Sequence, residues 1–246
     1  MGVIIRSEDR IVQIQLDWPE VRNAMGPSEA RVLTDALSEA VATNGVAAIV
    51  ISANGVAFCA GGNLREILAL AEQGAEAVRS SVYGVFQGLF RTIADCPVPL
   101  IAAVDGPAVG FGCDLALAAD LTFVGPQGWL AQGWAQAGLI PATGGTFYAK
   151  RRGGQLGLWS LLSRARLNAA EAQAAGLAMA VDNALEAAMA AGRTLAGLPA
   201  EQVRATKALS RIDTLEEHLE QALQYQVGFI TSPSFMTRAR KILSRT

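Results

Sequence analysis

The sequence predicts an α/β fold, and two observations support that prediction. Apolar runs typical of strands covered on both faces alternate with stretches whose apolar residues recur at helical spacing. The chain has 246 residues, enough for one core that needs neither disulfides nor metal. Strand-like runs stop after about residue 185. We therefore predict an α/β core over residues 1–185, followed by a helical region over residues 186–246.

The predicted elements follow one another in a regular order. Residues 11–16 alternate between apolar and polar as a half-buried strand does, whereas residues 47–53 form a continuous apolar run. The segments "VPLIAAVDG" and "LTFVGP" have the same apolar character and are also predicted to be strands. Helical spacing of apolar residues extends over residues 28–42, 64–73 and 76–94, and over three further stretches after residue 185.

Composition limits the partners that the protein is expected to have. Apolar residues make up 51% of the chain and charged residues 17%, below the usual quarter, so we expect part of the surface to be covered in an oligomer. Twenty Lys and Arg against 22 Asp and Glu leave no basic face for nucleic acid. No apolar run is long enough for a membrane span. Three cysteines without Cys-x-x-Cys spacing favour buried thiols and a cytoplasmic location.

Several common kinds of site have no motif in this sequence. The only histidine, His218, excludes a zinc centre built from several histidines, and its charged neighbours predict a solvated helix face. The phosphate-binding loop, the nucleophile elbow and a well-placed dinucleotide-binding glycine pattern are all absent. We therefore expect no metal, and chemistry other than triad hydrolysis, phosphoryl transfer or hydride transfer.

Two glycine turns stand between predicted strands and predicted helices. They are "AFCAGGNLRE", residues 57–66, and "DGPAVGFGCDLALAAD", residues 105–120. Asn63 and Glu66 have the spacing of a capping box, which explains these two side chains but not the glycines. Helix starts leave backbone N–H groups unpaired and carry partial positive charge, so one N–H from each turn could converge on a carbonyl oxygen. Tight packing or positive φ is the alternative explanation for the glycines, and spacing alone favours it.

Four segments together resemble the signature segments of the crotonase superfamily, the enoyl-CoA hydratase/isomerase family. They are "PEVRNAM", "AFCAGGNL", "DGPAVGFGCDLALAAD" and "GLIPATGGT", in this order and with these separations. The resemblance extends from about residue 10 to the C-terminus. It implies a spiral of repeated ββα units, C-terminal helices that assemble trimers or pairs of trimers, and a role in fatty acid metabolism. The implied ligand is an acyl-CoA, so coenzyme A is part of the substrate and no separate cofactor is expected.

The resemblance also implies roles for individual residues at the two turns. The N–H groups of Gly62 and Phe111 would form an oxyanion hole for the thioester carbonyl. The carbonyl of Ala60 would meet the adenine of coenzyme A. Arg22 would lie near the phosphates, with a solvated surface charge as the alternative.

The sequence departs from the hydratase pattern at the acid and base positions. The first of the two hydratase glutamates falls on Asp114, which the resemblance makes a general acid or base. The second falls on Trp134, which cannot exchange a proton in this chemistry. Ala142 occupies the place where other branches have an aspartate. Trp134 is expected to shape an apolar acyl pocket, with a core position away from any ligand as the alternative.

The surroundings of Asp114 point to an unusual carboxyl group. Its segment, "GFGCDLALAAD", is otherwise almost wholly apolar, so the charge is expected to face a cavity or to have a partner. A largely dry pocket would raise its pKa toward the range of acid or base catalysis. Three functions stay open: an acyl-CoA hydratase or isomerase, a non-catalytic acyl-CoA binding protein, and a hydrolase or decarboxylase of the same fold.

Overall fold

Nine strands in two sheets make up the β-structure of the computed structural model, which describes residues 2–134, 138–213 and 215–230. In chain order they are β1 (Gly2–Glu8), β2 (Ile11–Asp17), β3 (Ala48–Ala53), β4 (Leu100–Val104), β5 (Pro107–Val109), β6 (Leu121–Val124), β7 (Trp129–Ala131), β8 (Leu167–Asn168) and β9 (Met179–Ala180). The main sheet has the order β1-β2-β3-β4-β6-β9, and a smaller sheet has the order β5-β7-β8. Neighbouring strands are parallel except in the pairs β1–β2 and β7–β8.

Helices connect these strands, as the alternating sequence pattern predicts. They are α1 (Pro27–Ala42), α2 (Leu64–Ala71), α3 (Ala75–Ala77), α4 (Gly84–Asp95), α5 (Phe111–Ala118), α6 (Gly145–Ser163), α7 (Ala169–Ala174), α8 (Ala184–Ala196), α9 (Ala200–Leu209) and α10 (Leu215–Ile230). A π-helical stretch, Val78–Tyr83, joins α3 to α4, so the helix predicted over 76–94 is not a regular α-helix throughout. The predicted α/β class is confirmed, and helices alone follow β9.

The chain divides into two units, Met1–Leu198 and Pro199–Thr246. The first unit contains all the described strands together with the helices up to α8. The boundary expected at residue 185 lies within α8, which packs against β3 and β4 and so belongs with the sheet. The second unit contains α9 and α10, which contact each other.

Both faces of the central strands β3 and β4 are buried, which explains their continuous apolar runs. On β3, Ile49 and Ile51 face the larger hydrophobic core, while Ala48 and Val50 face a smaller one that α8 covers. The expectation of a half-buried β2 was wrong, because its polar Gln13 is also buried. The amide of Gln13 donates to the Ser52 hydroxyl at 2.8 Å, so a polar pair between neighbouring strands produces the alternating pattern.

A partly buried arginine ties α6 to the end of α5. The Arg152 guanidinium donates to the carbonyl oxygens of Leu117, Ala119 and Leu177. Burial lowers the pKa of Arg152 to about 10, which still leaves it charged at neutral pH. Since α5 begins at one of the glycine turns, Arg152 holds this helix from its other end. No helix in the described ranges has the length and apolar character to cross a membrane.

Candidate functional site

Parallel pairing brings the two glycine turns together. Residues 57–60 run beside β5, and the Cys59 N–H donates to the Pro107 carbonyl at 3.1 Å. The Val109 N–H donates in turn to the Cys59 carbonyl at 2.9 Å. These two segments run parallel, so both chains proceed in the same direction. The residues that follow each segment therefore lie next to each other. Gly62 and Phe111, predicted as the two N–H donors, therefore lie on adjacent turns.

Close backbone approach explains the glycine at the start of the first turn. Gly61 has φ of +110°, and a Cβ added there would lie 3.0 Å from the Val109 carbonyl oxygen. The Gly61 carbonyl accepts from the Met25 N–H at 2.7 Å, which holds the turn from its other side. A side chain at Gly61 would be both strained and crowded, so glycine is required on structural grounds.

The N–H groups of Gly62 and Phe111 have no hydrogen-bond acceptor within the described ranges. Phe111 is the first residue of α5, where N–H groups have no partner inside the helix. The partial positive charge of the helix start adds to the attraction for a negative oxygen. Unpaired donors on adjacent turns meet one requirement of a site that binds a carbonyl oxygen and stabilises it as an anion.

Ala60 and Arg22, the predicted coenzyme A contacts, are neighbours in the structure. The Ala60 N–H donates to the Arg22 carbonyl at 3.0 Å, and the Arg22 side chain is exposed. Within the described residues, the Ala60 carbonyl accepts no hydrogen bond. Ala60, predicted to meet the adenine, and Arg22, predicted to meet the phosphates, are thus adjacent beside the first glycine turn.

A buried asparagine that the sequence analysis did not single out holds Arg22 in place. Asn23 donates to the carbonyls of Asn54 and Ala57, both at 2.9 Å, and accepts from the Trp18 N–H at 2.8 Å. Both Arg22 and Asn23 have positive φ, which asparagine tolerates better than most residues. The sequence could have indicated this role, because Asn23 lies in the short "PEVRNAM" turn and asparagine amides in turns commonly bond to nearby backbone.

Asp114 is fully buried and has three hydrogen-bond donors. Its Oδ1 accepts from Gln132 Nε2 at 2.6 Å and its Oδ2 accepts from the Thr143 hydroxyl at 2.5 Å. The Gly145 N–H also donates to this carboxyl group. Burial raises the pKa of Asp114 from 3.8 to about 6, and the three donors oppose that rise. The expected partners exist, but Gln132 and Thr143 were not identified from the sequence.

The Trp134 side chain lies against both glycine turns. A Cβ added at Gly62 would lie 3.4 Å from its Cη2, and a Cβ at Gly110 would lie 3.2 Å from its Cε2. Trp134 is 5% exposed, and its Nε1 has no hydrogen-bond partner within the described ranges. The indole therefore forms a wall beside the two N–H donors. Residues 135–137, which follow it, lie outside the described ranges.

Two other predicted positions contribute no proton-transfer group here. Ala142 accepts a hydrogen bond from the Gln87 side chain at 3.0 Å through its backbone carbonyl. The predicted capping box at Asn63 was wrong, although Asn63 does precede α2. The Asn63 amide instead donates to the Glu66 carboxylate at 2.5 Å, a charge-assisted hydrogen bond between the two side chains that leaves the first N–H groups of α2 without a bond to Asn63.

The described residues contain no group of three His, Cys, Asp or Glu side chains that could hold a metal ion. All three cysteines are free and buried, as predicted. Burial raises the pKa of Cys59 to about 12 and that of Cys113 well above its usual range, so both stay protonated thiols at neutral pH. The side chain of His218 lies outside the described residues, and the prediction for it stays a prediction.

Comparisons with known proteins agree with the resemblance found in the sequence. The family described as "Enoyl-CoA hydratase/isomerase" matches residues 6–240. A protein of Mycobacterium tuberculosis named "Probable enoyl-CoA hydratase" is 32% identical, with 96% of this chain and 95% of the relative covered. A Rhizobium meliloti protein of the same printed name is 31% identical, over 91% of this chain and 86% of the relative.

Solved structures of the same family have the same fold. The crystal structure of an enoyl-CoA hydratase from Polaromonas sp. JS666 has a TM-score of 0.90 at 26% identity, covering 100% of this chain and 98% of the other. That of an enoyl-CoA hydratase from Mycobacterium smegmatis has a TM-score of 0.89 at 22% identity, covering 100% and 97%. The crotonase-type architecture with C-terminal helices is thus confirmed.

The raised pKa of Asp114 predicts a pH-dependent stability. A carboxyl group with a higher pKa in the folded chain binds its proton more tightly there, so its stabilising contribution is complete below pH 3.8 and lost as pH rises through about 6. The Asp114→Asn variant cannot ionise at this position. Its free energy of unfolding should therefore increase relative to the parent by up to ~3 kcal/mol between about pH 4 and about pH 7.

Urea unfolding of both proteins at a series of pH values measures this difference. Asp95, exposed at the end of α4, supplies the matched control: Asp95→Asn removes a carboxyl group without touching the buried set. A difference between parent and Asp114→Asn that stays constant over this pH range would contradict the raised pKa.

Proposed function

The chain belongs to the enoyl-CoA hydratase/isomerase family, and on that premise we propose that it converts an acyl-CoA through an enolate of the thioester. The observation that carries this proposal is the pair of unpaired N–H groups at Gly62 and Phe111 on adjacent turns. In this proposal both groups donate to the thioester carbonyl oxygen. The acyl chain then lies beside Trp134.

The two donors act on the charge that develops during the reaction. Removing a proton from the carbon next to the thioester carbonyl moves an electron pair onto the carbonyl oxygen. The oxyanion is held by the two N–H groups and by the partial positive charge at the start of α5. Donors fixed by backbone pairing need no reorganisation as charge develops, and each is worth roughly 100-fold to 1,000-fold in rate.

Asp114 is proposed as the group that moves the proton. An ionised carboxylate has about four acceptor sites, and the three donors at Asp114 leave one for a proton. A pKa of about 6 keeps both ionisation states accessible near neutral pH. As base, Asp114 would take a proton from one carbon of the acyl group, and as acid it would return that proton to another.

Double-bond isomerisation fits a single carboxyl group better than hydration does. Isomerisation moves one proton away from the acyl chain and one back, which Asp114 can perform alone. Hydration also requires a group to activate water, and Trp134 stands where the resemblance has the second glutamate. We therefore propose a proton-transfer reaction of the isomerase type ahead of efficient hydration.

Coenzyme A is proposed to bind along the outer side of the first turn. The Ala60 carbonyl, which accepts no hydrogen bond within the described residues, would accept one from the adenine amino group. The exposed Arg22 guanidinium beside it would pair with phosphate. Asn23 supports this arrangement by fixing the backbone that carries Arg22.

A non-catalytic acyl-CoA binding protein is the second candidate function. Both oxygens of Asp114 already accept hydrogen bonds, and the side chain is fully buried. In this alternative Asp114 only anchors the segment between β7 and α6 through Gln132 and Thr143. The two N–H donors would then bind a thioester without turning it over.

Substitution of Asp114 by asparagine separates the two candidates. An enzyme that uses this carboxyl group should lose turnover by roughly 100-fold to 10,000-fold, the usual worth of general acid or base catalysis. Affinity for the thioester should change little, because the proposed donors are backbone groups. Product formation from a panel of enoyl-CoAs and affinity by calorimetry, for the parent and Asp114→Asn, test this expectation.

Thr143→Val is the matched control, since it removes one donor to Asp114 but keeps the carboxyl group. The hydrogen bond from Thr143 lowers the pKa of Asp114, so the pH profile of a catalytic Asp114 should move to higher pH in this variant. Turnover at the parent rate in folded Asp114→Asn would remove Asp114 from the mechanism. Binding without turnover by the parent, across the panel, would favour the second candidate.

Removal of the carbonyl from the ligand tests the oxyanion donors without changing the protein. Butanoyl-CoA has the thioester oxygen, whereas the thioether S-butyl-CoA lacks it. We expect the thioester to bind about 10-fold more tightly, as two net hydrogen bonds would give. Calorimetry with both ligands, and with free coenzyme A for reference, measures the effect. Equal affinity for the two ligands would contradict donation from Gly62 and Phe111.

We also propose that the chain assembles as a trimer or a hexamer, as the resemblance implies. Leu219 and Leu223 are exposed and four residues apart on α10, so they form an apolar stripe. Sedimentation at micromolar concentration should show the assembly, and the double variant Leu219→Glu/Leu223→Glu should shift it to smaller species. Gln224→Glu, which adds charge at an exposed polar position of the same helix, is the control. A compact parent monomer would contradict the proposal.

A further inference from the structure

The Trp134 indole N–H is a buried donor without an acceptor. In the described ranges, two buried side-chain polar atoms lack a hydrogen-bond partner: Trp134 Nε1 and Gln132 Oε1. The amide nitrogen of Gln132 donates to Asp114, so that side chain is already fixed by a second contact. The indole of Trp134 has only the one polar atom, and that atom is unpaired. Unpaired buried donors are rare because burial removes the water that would otherwise bind them.

A purely structural role does not require this N–H. Phenylalanine would supply a similar apolar ring at position 134 without introducing a donor that destabilises the fold. The donor becomes favourable when a ligand brings an acceptor into the pocket. The unpaired nitrogen therefore points to a polar atom on the bound molecule.

The position of the indole indicates which part of a ligand it meets. Its Nε1 would lie 3.3 Å from a Cβ at Gly110, and its Cη2 would lie 3.4 Å from a Cβ at Gly62. One side of the ring system thus extends from one turn to the other. If a thioester is held by the N–H groups of Gly62 and Phe111, as the proposed function requires, its acyl group passes along this ring.

We propose that Trp134 determines specificity by donating its indole N–H to a carbonyl oxygen carried by the acyl group beyond the thioester. The preferred ligands are then oxoacyl-CoAs rather than plain hydrocarbon acyl-CoAs. A carbonyl oxygen only accepts, which matches a site that offers one donor. A hydroxyl group would bring a further donor that itself needs an acceptor. In the proposed function the thioester oxygen already accepts hydrogen bonds from the N–H groups of Gly62 and Phe111, so the indole N–H needs a different acceptor.

Paired ligands test the assignment in the unmodified protein. Pentanoyl-CoA is compared with 3-oxopentanoyl-CoA and 4-oxopentanoyl-CoA, which have the same chain length and place the oxygen at two positions. Calorimetry should show that one oxo ligand binds about 2-fold to 12-fold more tightly than pentanoyl-CoA, the range of one neutral hydrogen bond. In Trp134→Phe the ratio of the affinities for the oxo ligand and pentanoyl-CoA should fall to about one, whatever the change in the affinity for pentanoyl-CoA itself.

Nitrogen-15 labelling of the four tryptophans supplies a second readout that does not rely on affinity. The indole signal missing from Trp134→Phe identifies Trp134, and in the parent its N–H exchange should slow with the preferred oxo ligand but not with pentanoyl-CoA. Trp159→Phe is the matched control, since Trp159 is exposed and donates to Gln155. This variant should keep the parent's ligand preference.

Three outcomes would overturn the assignment while leaving the proposed function standing. They are equal affinity of the parent for oxo and plain ligands, a preference that survives in folded Trp134→Phe, and an equal loss for all ligands in that variant. The last outcome would mean that the indole donates to the thioester oxygen or only packs. Failure of the parent to bind any of these thioesters would instead overturn the proposed function, and this assignment with it.

Discussion

Two backbone hydrogen bonds between residues 57–60 and β5 hold the candidate site together, because they join segments that are distant in sequence. They fix the relative register of the two turns, and register decides which N–H groups become neighbours. Gly61 allows the backbones to approach this closely. The N–H groups of Gly62 and Phe111 are left unpaired at the point where the pairing ends. A shift of one residue in this pairing would carry a different N–H to each position.

Asp114 links this backbone frame to the segment that carries Trp134. The carboxyl group sits one turn into α5, on the helix that begins with Phe111, and it binds residues on the connection between β7 and α6. Burying the carboxyl group that orders this connection has an energetic cost, visible as the raised pKa of Asp114, and the hydrogen bonds offset part of that cost. A pKa of about 6 lies close enough to neutral pH for both ionisation states to be accessible. The contacts that order the connection are thus the ones that would tune Asp114 for its proposed role in proton transfer.

Trp134 places an apolar ring against the two turns but also one unpaired donor. An aromatic wall excludes water, and exclusion of water would strengthen the proposed interaction of the two N–H donors with a developing negative charge. It also removes the solvent that would satisfy the indole N–H. The unpaired Trp134 nitrogen and the raised pKa of Asp114 are two consequences of the same burial.

The sequence by itself determined the α/β class, the order of strands and helices, and the position of the two glycine turns. These features depend on the local period of apolar residues and on glycine, which neighbouring residues along the chain reveal. Family signature segments added the two N–H donors and the Asp114 and Trp134 positions. The absence of a zinc motif was equally readable from a single histidine.

Only the tertiary structure decided which polar groups meet. Thr143 is 29 residues from Asp114 along the chain and Asn23 is 34 from Ala57, so no local pattern links them. Half-burial of β2 was predicted wrongly for the same reason, since Gln13 pairs with Ser52 on the neighbouring strand. Capping at Asn63 was wrong although Glu66 is close in sequence, because the same spacing also allows the two side chains to bond to each other. The sequence likewise gave no indication that the indole nitrogen of Trp134 would lack a hydrogen-bond partner. Local patterns report which residues are apolar, whereas hydrogen-bond partners depend on long-range packing that a single sequence does not encode locally.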